Sequence, residues 1–207
     1  MSIQAAYDNW STTYDADQNL TRDLDQIVTR EFLMHLRVQA AIEVGCGTGK
    51  NTSFLAQIAE TVQAIDFSEL MLNQAREKVK AENVRFAIAD ITKPWAFLDQ
   101  SANLITCNLV LEHIEDLPFI FSEAARVLVK GGYLFISELH PFRQYRGTKA
   151  NFQRDENIIE ISAFVHHISD FFSSAKQEGF AVEEFRECWH EQDQNKPPRI
   201  AAFLFRR

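Results

Sequence analysis

An α/β protein whose mostly parallel sheet is covered by helices on both faces is what this sequence predicts, on three observations. Apolar runs alternate with segments of helical period through most of the chain. The first run, Ala40 to Val44, opens straight into GCGTG at 45–49, the glycine spacing of a strand that turns tightly into a helix beside a ligand. The second and third runs carry acids at their ends, Asp66 and Asp90, and the carboxyl ends of strands are where open sheets bind ligands.

Taken in order, Leu24, Ile27, Val28, Phe32 and Leu36 predict an amphipathic helix, preceded by an aromatic-rich stretch from Tyr7 to Tyr14. After the glycines, Phe54, Leu55, Ile58 and Ala59 form one helical face. The second strand spans Val62 to Phe67, and Ser68 caps a helix with Leu72, Ala75 and Val79 on one side. Val84 to Ile91 reads as the third strand and Asn103 to Leu109 as the fourth. A helix follows with Pro118 in its first turn and Leu117, Ile120, Phe121, Ala124 and Leu128 inward; Gly131 and Gly132 stop it before a fifth strand, Tyr133 to Leu139. From Pro141 the period breaks down, and HPFRQYRGTKANFQRDEN reads as an insertion over the sheet edge, at about 140–157. Ile158 to Ile168 is expected to be extended and Ser169 to cap a helix ended by Gly179. Ala181 to Trp189 and Arg199 to Phe205 then close the sheet, with Pro197 and Pro198 in the turn between them.

A chain of 207 residues, 46% hydrophobic and 24% charged, is expected to bury one core, so 1–207 is read as a single domain. No run approaches the roughly 18 apolar residues of a membrane span, and the N-terminus lacks the basic start and apolar centre of a signal peptide. The expected address is the cytoplasm, with no membrane partner. Cys46, Cys107 and Cys188 are odd in number and lack CxxC spacing, so neither a disulfide framework nor a zinc site is expected. A net charge of −8 without a basic stripe argues against nucleic acid as a partner.

The glycine turn admits two readings. A dinucleotide fingerprint is GxGxxG, but Gly45, Gly47 and Gly49 form GxGxG, and Lys50 stands where the last glycine belongs. Walker spacing is absent too. Asp66, about twenty residues on, suits the two hydroxyls of a ribose. Asp90 is placed to accept from an adenine amine, and Glu43 lies inside the first strand. Three acids around the site suit a ligand that is itself cationic, such as a sulfonium carrying an α-ammonium, better than a pyrophosphate.

The segments IEVGCGTGKNT, AIDFSELMLNQA, VRFAIADI, LITCNLVLEHIEDL and LVKGGYLFISELHP resemble, in order and spacing, the successive motifs of the class I S-adenosylmethionine-dependent methyltransferases. The resemblance covers about Tyr7 to Pro141, and YDNWSTTYD resembles the opening helix of the subgroup that methylates small molecules such as quinones and biotin precursors. It implies a Rossmann-like three-layer sandwich with a seven-stranded sheet of order 3-2-1-4-5-7-6 and an antiparallel last strand. It also implies an N-terminal helical lid over about 1–38 and a substrate-side insertion. By the same resemblance Glu43 supports the glycine loop and the methionine end of the cofactor. Gly45, Cys46 and Gly47 give backbone to the amino acid part, and Tyr14 reaches its carboxylate from the lid. Asp66 holds the ribose, Phe67 and Met71 flank the adenine, and Asp90 and the Ile91 amide meet its polar edge. Asn108 and Leu109 line the cofactor near its reactive methyl.

Methyl transfer by in-line displacement needs alignment above all. A base is required only if the acceptor must lose a proton, and His140 and then His113, at the ends of the fifth and fourth strands, are the expected candidates. Tyr7, Trp10, Phe142, Arg143 and Tyr145, together with Phe152, are expected around a small, partly aromatic acceptor. His166 and His167 alternate on an extended segment, so at most one faces a pocket. The segment after the fourth strand lacks the carboxylate pattern of metal-dependent transfer and the NPPY loop of base-methylating relatives, so neither a metal nor a nucleobase acceptor is expected. Rival readings are an NAD-dependent oxidoreductase and a non-catalytic S-adenosylmethionine-binding protein of the same fold. A monomer or homodimer is expected.

Overall fold

The apolar runs become strands of one seven-stranded sheet, and the helical segments cover both its faces. The computed structural model describes residues 2–154 and 157–207, with side chains described except at 152–158, so the side chain of Phe152 lies outside the described residues. Two helices, α1 (Ile3–Trp10) and α2 (Leu20–Leu33), precede β1 (Val38–Val44). Then come α3 (Thr52–Ile58), β2 (Ala59–Asp66), α4 (Glu69–Lys78), β3 (Val84–Ile88) and β4 (Ala102–Asn108). A 3-10 turn at Leu111–His113 leads to α5 (Leu117–Val127) and β5 (Leu128–Leu139). The remainder is α6 (Pro141–Tyr145), a hairpin of β6 (Asn151–Arg154) and β7 (Asn157–Glu160), α7 (Ile168–Gln177), β8 (Ala181–Cys188) and β9 (Ile200–Arg206).

The sheet order is β3-β2-β1-β4-β5-β9-β8, which is 3-2-1-4-5-7-6 when the hairpin strands are left out of the count. Strands β1 to β5 pair in parallel and β9 runs antiparallel to both its neighbours. Alternation along each strand divides the interior. Ile42, Val44, Ile105, Ile136, Phe203 and Phe205 face α5 and α7, where they meet Phe121, Phe171 and Phe180. Ala41, Leu104, Phe135, Ala202 and Leu204 face the other way, onto Leu24, Val28, Phe32, Leu55 and Leu72. The order reverses beside β1, between β1 and β4, and the loops after β1, β2, β3 and β4 therefore converge at one edge.

Several local expectations change. Helix α5 ends at Val127, and Gly131 and Gly132 lie inside β5. There they form an irregularity: the pairing passes from Ala102 with Leu128 to Leu104 with Tyr133, and Gly131 takes φ +79°. Strand β3 stops at Ile88, so Asp90 stands in a turn rather than on a strand. His167, not Ser169, precedes α7; its N–H donates to Asp170 Oδ2 at 2.8 Å, so the helix claims Ile168 from the extended segment. The insertion contains α6 and the strand pairing of β6 with β7. Ile27 is 51% exposed, because α2 turns Asp25 and Thr29 inward beside Leu24, Val28 and Phe32. No helix among the described residues is long and apolar enough to cross a membrane.

Candidate active site

The glycine turn is held shut by its own amides. Gly45 and Cys46 both donate to the Ile65 carbonyl of β2, at 2.8 and 3.0 Å, and Gly49 donates to Cys46 O at 2.9 Å. Gly47 donates to Asp66 Oδ2 at 2.9 Å. With these four donors engaged inside the chain, the turn offers bare Cα faces rather than the row of free N–H groups that binds phosphate. Gly45, Gly47 and Gly49 all take positive φ, and a Cβ at Gly45 would stand 2.1 Å from Val110 Cγ2, so only glycine fits there. A Cβ at Gly47 would meet nothing within 4 Å, which leaves that face open to the cavity the residue lines.

That cavity, of about 350 Å³, runs along the ends of β1, β2, β3 and β4. Gly45, Gly47, Asp66, Phe67, Met71, Asp90, Ile91, Asn108, Leu109 and Tyr14 line it, and so do Tyr7 and His113. Asp66 is buried and accepts Gly47 N and, at 2.9 Å, Ser68 N, so its carboxylate is oriented by the two loops it joins; burial pushes its pKa up. Asp90 is ionised more readily, because the Thr92 hydroxyl donates to it at 2.6 Å and holds its pKa down. Asn108 gives both hydrogens of its amide to α2, to Asp25 Oδ1 and Thr29 Oγ1 at 2.8 Å each, and its buried Oδ1 has no partner among the described residues. An unsatisfied acceptor, a ribose-spaced acid and an apolar slot of Phe67, Met71 and Ile91 fit an adenosyl ligand with an ammonium group.

Glu43 and Cys46 do not line the cavity. Glu43 is buried beneath the turn and accepts from the Thr52 hydroxyl at the start of α3. Burial pushes its pKa up to about 8, with Asp25 and Asp66 adding to the rise. The Cys46 side chain packs into the core among Leu55 and Leu72, and its amide is spent on Ile65.

Helix α1 covers the edge of the site. Gln4 Nε2 donates to Phe67 O at 2.8 Å, and the Ser68 hydroxyl donates to Asp8 Oδ1 at 2.5 Å. Arg22 lies 4.0 Å from the Tyr14 ring centroid and 5.3 Å from that of Trp10, and donates to the carbonyls of Tyr14 and Asp17. Tyr7 and Tyr14 are thus fixed, and burial raises the pKa of both phenols, that of Tyr14 to about 12.

A second cavity, of about 510 Å³, lies beyond them. Tyr7, Tyr14 and Leu109 line both cavities and form the wall between them. Leu109 holds φ +55°, a left-handed conformation unusual for leucine, with its N–H on Ser137 O at 2.8 Å. Trp10 lines the second cavity; Phe142, Arg143 and Tyr145 line neither. Arg143 is drawn to the turn before β9, where it donates to Pro197 O and Pro198 O and pairs with Asp193 at 3.0 Å. Tyr145 O–H meets His167 Nδ1 at 2.6 Å, and Phe142 is 48% exposed.

The two histidines part company. His140 stands outside both cavities: its Nδ1 accepts from Phe142 N as the cap of α6, which leaves Nε2 to donate to Glu187 at 2.9 Å. His113 lines the first cavity with both nitrogens engaged, Nδ1 donating to Ser162 O at 2.9 Å and Nε2 accepting from the Tyr7 hydroxyl at 2.8 Å. Burial lowers the pKa of each. His166 is turned onto the carbonyls of Leu111 and Ile114, while His167 faces Tyr145. Three contributors escape the sequence reading: Asp25 and Thr29 under Asn108, and Glu112 in the second cavity. Asp25 and Thr29 share the apolar face of α2 at a spacing of four, and that was the available signal.

Residues 42–136 match the family model described as a methyltransferase domain. The demethylmenaquinone methyltransferase of Bacteroides fragilis is 33% identical over 66% of this chain and 60% of its own. The malonyl-(acyl-carrier protein) O-methyltransferase 2 of Coxiella burnetii is 32% identical over 65% of this chain and 55% of its own, so the chain spans little more than half of either relative. A putative S-adenosylmethionine-dependent methyltransferase from Listeria monocytogenes has the same fold, with a TM-score of 0.78 at 17% identity over 90% of this chain and 99% of that one. The strand order, the glycine turn whose amides are spent and the two acids agree with these matches: residues 42–136 are similar to a methyltransferase domain, on a fold shared with a putative S-adenosylmethionine-dependent methyltransferase.

Proposed function

We propose that the chain transfers the methyl group of S-adenosylmethionine to a small molecule held in the second cavity. The observation that carries this reading is the shared wall: Tyr7, Tyr14 and Leu109 separate a cofactor-sized cavity from a larger one on its far side. The cofactor supplies an electrophilic methyl on a sulfonium when bound. The chain's own residues then bind, orient and keep water out. Asp66 receives the ribose hydroxyls and Asp90 the adenine amine. Phe67 and Met71 flank the ring, the Ile91 amide meets its edge, and Asn108 receives the ammonium. Tyr14 reaches the carboxylate. Glu43, Gly45, Cys46 and Gly47 hold the turn in shape.

In this reading residues 1–38 act as a lid, 140–157 border the acceptor side, and the whole belongs to one domain. The acceptor is small and partly aromatic, in keeping with Tyr7 and Trp10, and the two relatives are named for malonyl-(acyl-carrier protein) and demethylmenaquinone. The net charge of −8 disfavours nucleic acid, and we assign the protein to the cytoplasm as a monomer or homodimer. The test is release of S-adenosylhomocysteine on incubation with S-adenosylmethionine and a panel of small aromatic and acyl acceptors. Turnover on a small molecule is expected. Turnover confined to protein or nucleic acid would contradict the reading.

A further inference from the structure

We infer that Glu112 takes the proton from an acceptor held in the second cavity whose nucleophile is a neutral hydroxyl or amine. This deepens the methyl-transfer reading and rests on it. Glu112 sits in the turn that follows β4, three residues past Leu109, and lines the second cavity. It is 7% exposed, and its Oε2 has no hydrogen-bond partner among the described residues. A buried oxygen left without a donor is costly and asks for one from outside the chain.

Most of the other charged groups of that cavity are engaged, while Arg22 keeps a buried Nε without a partner among the described residues. Arg22 lies on the Tyr14 ring and gives its terminal nitrogens to backbone carbonyls; Arg199 binds Asp193 through Nε and Nη2 at 2.6 Å each and Thr21 through Nη1. Lys149 is 3.4 Å from Glu160. Asp17 is exposed and accepts from Trp10 Nε1 at 2.7 Å. A hydroxyl or amine acceptor would bring the proton that Oε2 lacks. Neither histidine competes for that proton, since His113 and His140 have both ring nitrogens occupied.

Three titratable groups face Glu112. His113 Nε2 is 4.0 Å away, and the Tyr7 phenol and Glu138 carboxyl feel its charge; Gln144 stands beside it as a neutral donor. Burial pushes the Glu112 pKa up to about 7, the range in which a carboxylate works as a base near neutrality. The step balances without a further reactant. The acceptor's oxygen or nitrogen forms a bond to the methyl carbon, and the carbon–sulfur bond breaks with its electron pair left on sulfur. The proton goes to Glu112 Oε2, so sulfonium and carboxylate become thioether and carboxylic acid.

The test uses the full chain with S-adenosylmethionine and three aromatic probes, p-cresol, aniline and benzoate, read by S-adenosylhomocysteine release. Turnover of p-cresol or aniline is expected, above any on benzoate. Glu112→Gln should lower kcat on the active probe by at least about 100-fold, the lower end of general-base effects, with KM changed less than about threefold. Calorimetric binding of S-adenosylmethionine should stay within about twofold. Glu112→Asp should recover at least about tenfold of the loss. The wild type alone should show kcat/KM rising with pH to a plateau through about 7. Faster turnover of benzoate, an undiminished rate in Glu112→Gln, or no turnover of any probe by cofactor-loaded protein would overturn the inference. Failure of the wild type to bind S-adenosylmethionine at all would instead overturn the reading beneath it.

Discussion

At the scale of single residues, the two strand-end acids differ in what their removal does. Asp66 anchors the Gly47 and Ser68 amides, so its loss disturbs fold and ligand together, at about 1–3 kcal/mol for each buried donor left unpaired. Asp90 is exposed and holds only its own turn. Asp90→Ala should therefore leave stability within about 0.5 kcal/mol while weakening S-adenosylmethionine about tenfold, near 1.4 kcal/mol. Calorimetry beside thermal melting checks this, and unchanged affinity would remove Asp90 from the adenine. Glu43 makes a pH prediction. Its folded pKa, about 8, lies above its ordinary value of 4.5, so the folded state keeps a proton that the unfolded chain has released. Its contribution is full below 4.5 and is lost as pH rises to about 8. In Glu43→Gln the fall of Tm across that window should flatten, part of the slope remaining through Glu138, whose pKa is also near 8. An unaltered slope would refute the assignment.

At the scale of elements, the latch between α1 and the loop after β2 is the part of the site most open to test. Asp8→Ala removes the acceptor of the Ser68 hydroxyl, at a cost of about 0.5–1.5 kcal/mol, and touches no residue assigned to the cofactor. Faster dissociation of S-adenosylhomocysteine in stopped-flow measurements is expected, with the bound state otherwise intact. An unchanged off-rate would argue that α1 is not a lid. The elements also divide what was legible from what was not. Strands and capped helices could be read because each declares itself locally, through an apolar run or a residue such as Ser68 whose hydroxyl accepts Met71 N. The inward phase of α2 could not, because Asp25 and Thr29 face the core only to meet Asn108, about eighty residues away. Arg143, His140 and Tyr145 were misplaced for the same reason: their partners at Pro197, Glu187 and His167 are set by tertiary contacts.

At the scale of the whole molecule, the sheet order brings the loops after β1, β2, β3 and β4 to one edge, and the cofactor cavity follows from that topology. That half of the site was readable because glycines and acids mark strand ends. The proposed acceptor half is assembled from α1, the turn after β4 and the segment before the hairpin, which no single motif joins, and Glu112 came to notice only through its unpartnered oxygen. The central claim is that the turn seats an adenosyl sulfonium and not a dinucleotide, since the amides of Gly45, Cys46, Gly47 and Gly49 are already bonded within the chain. Calorimetric titration with S-adenosylmethionine, S-adenosylhomocysteine and NAD tests it most directly. Binding of the first two with no heat from NAD is the predicted result; tight NAD binding without the other two would contradict it.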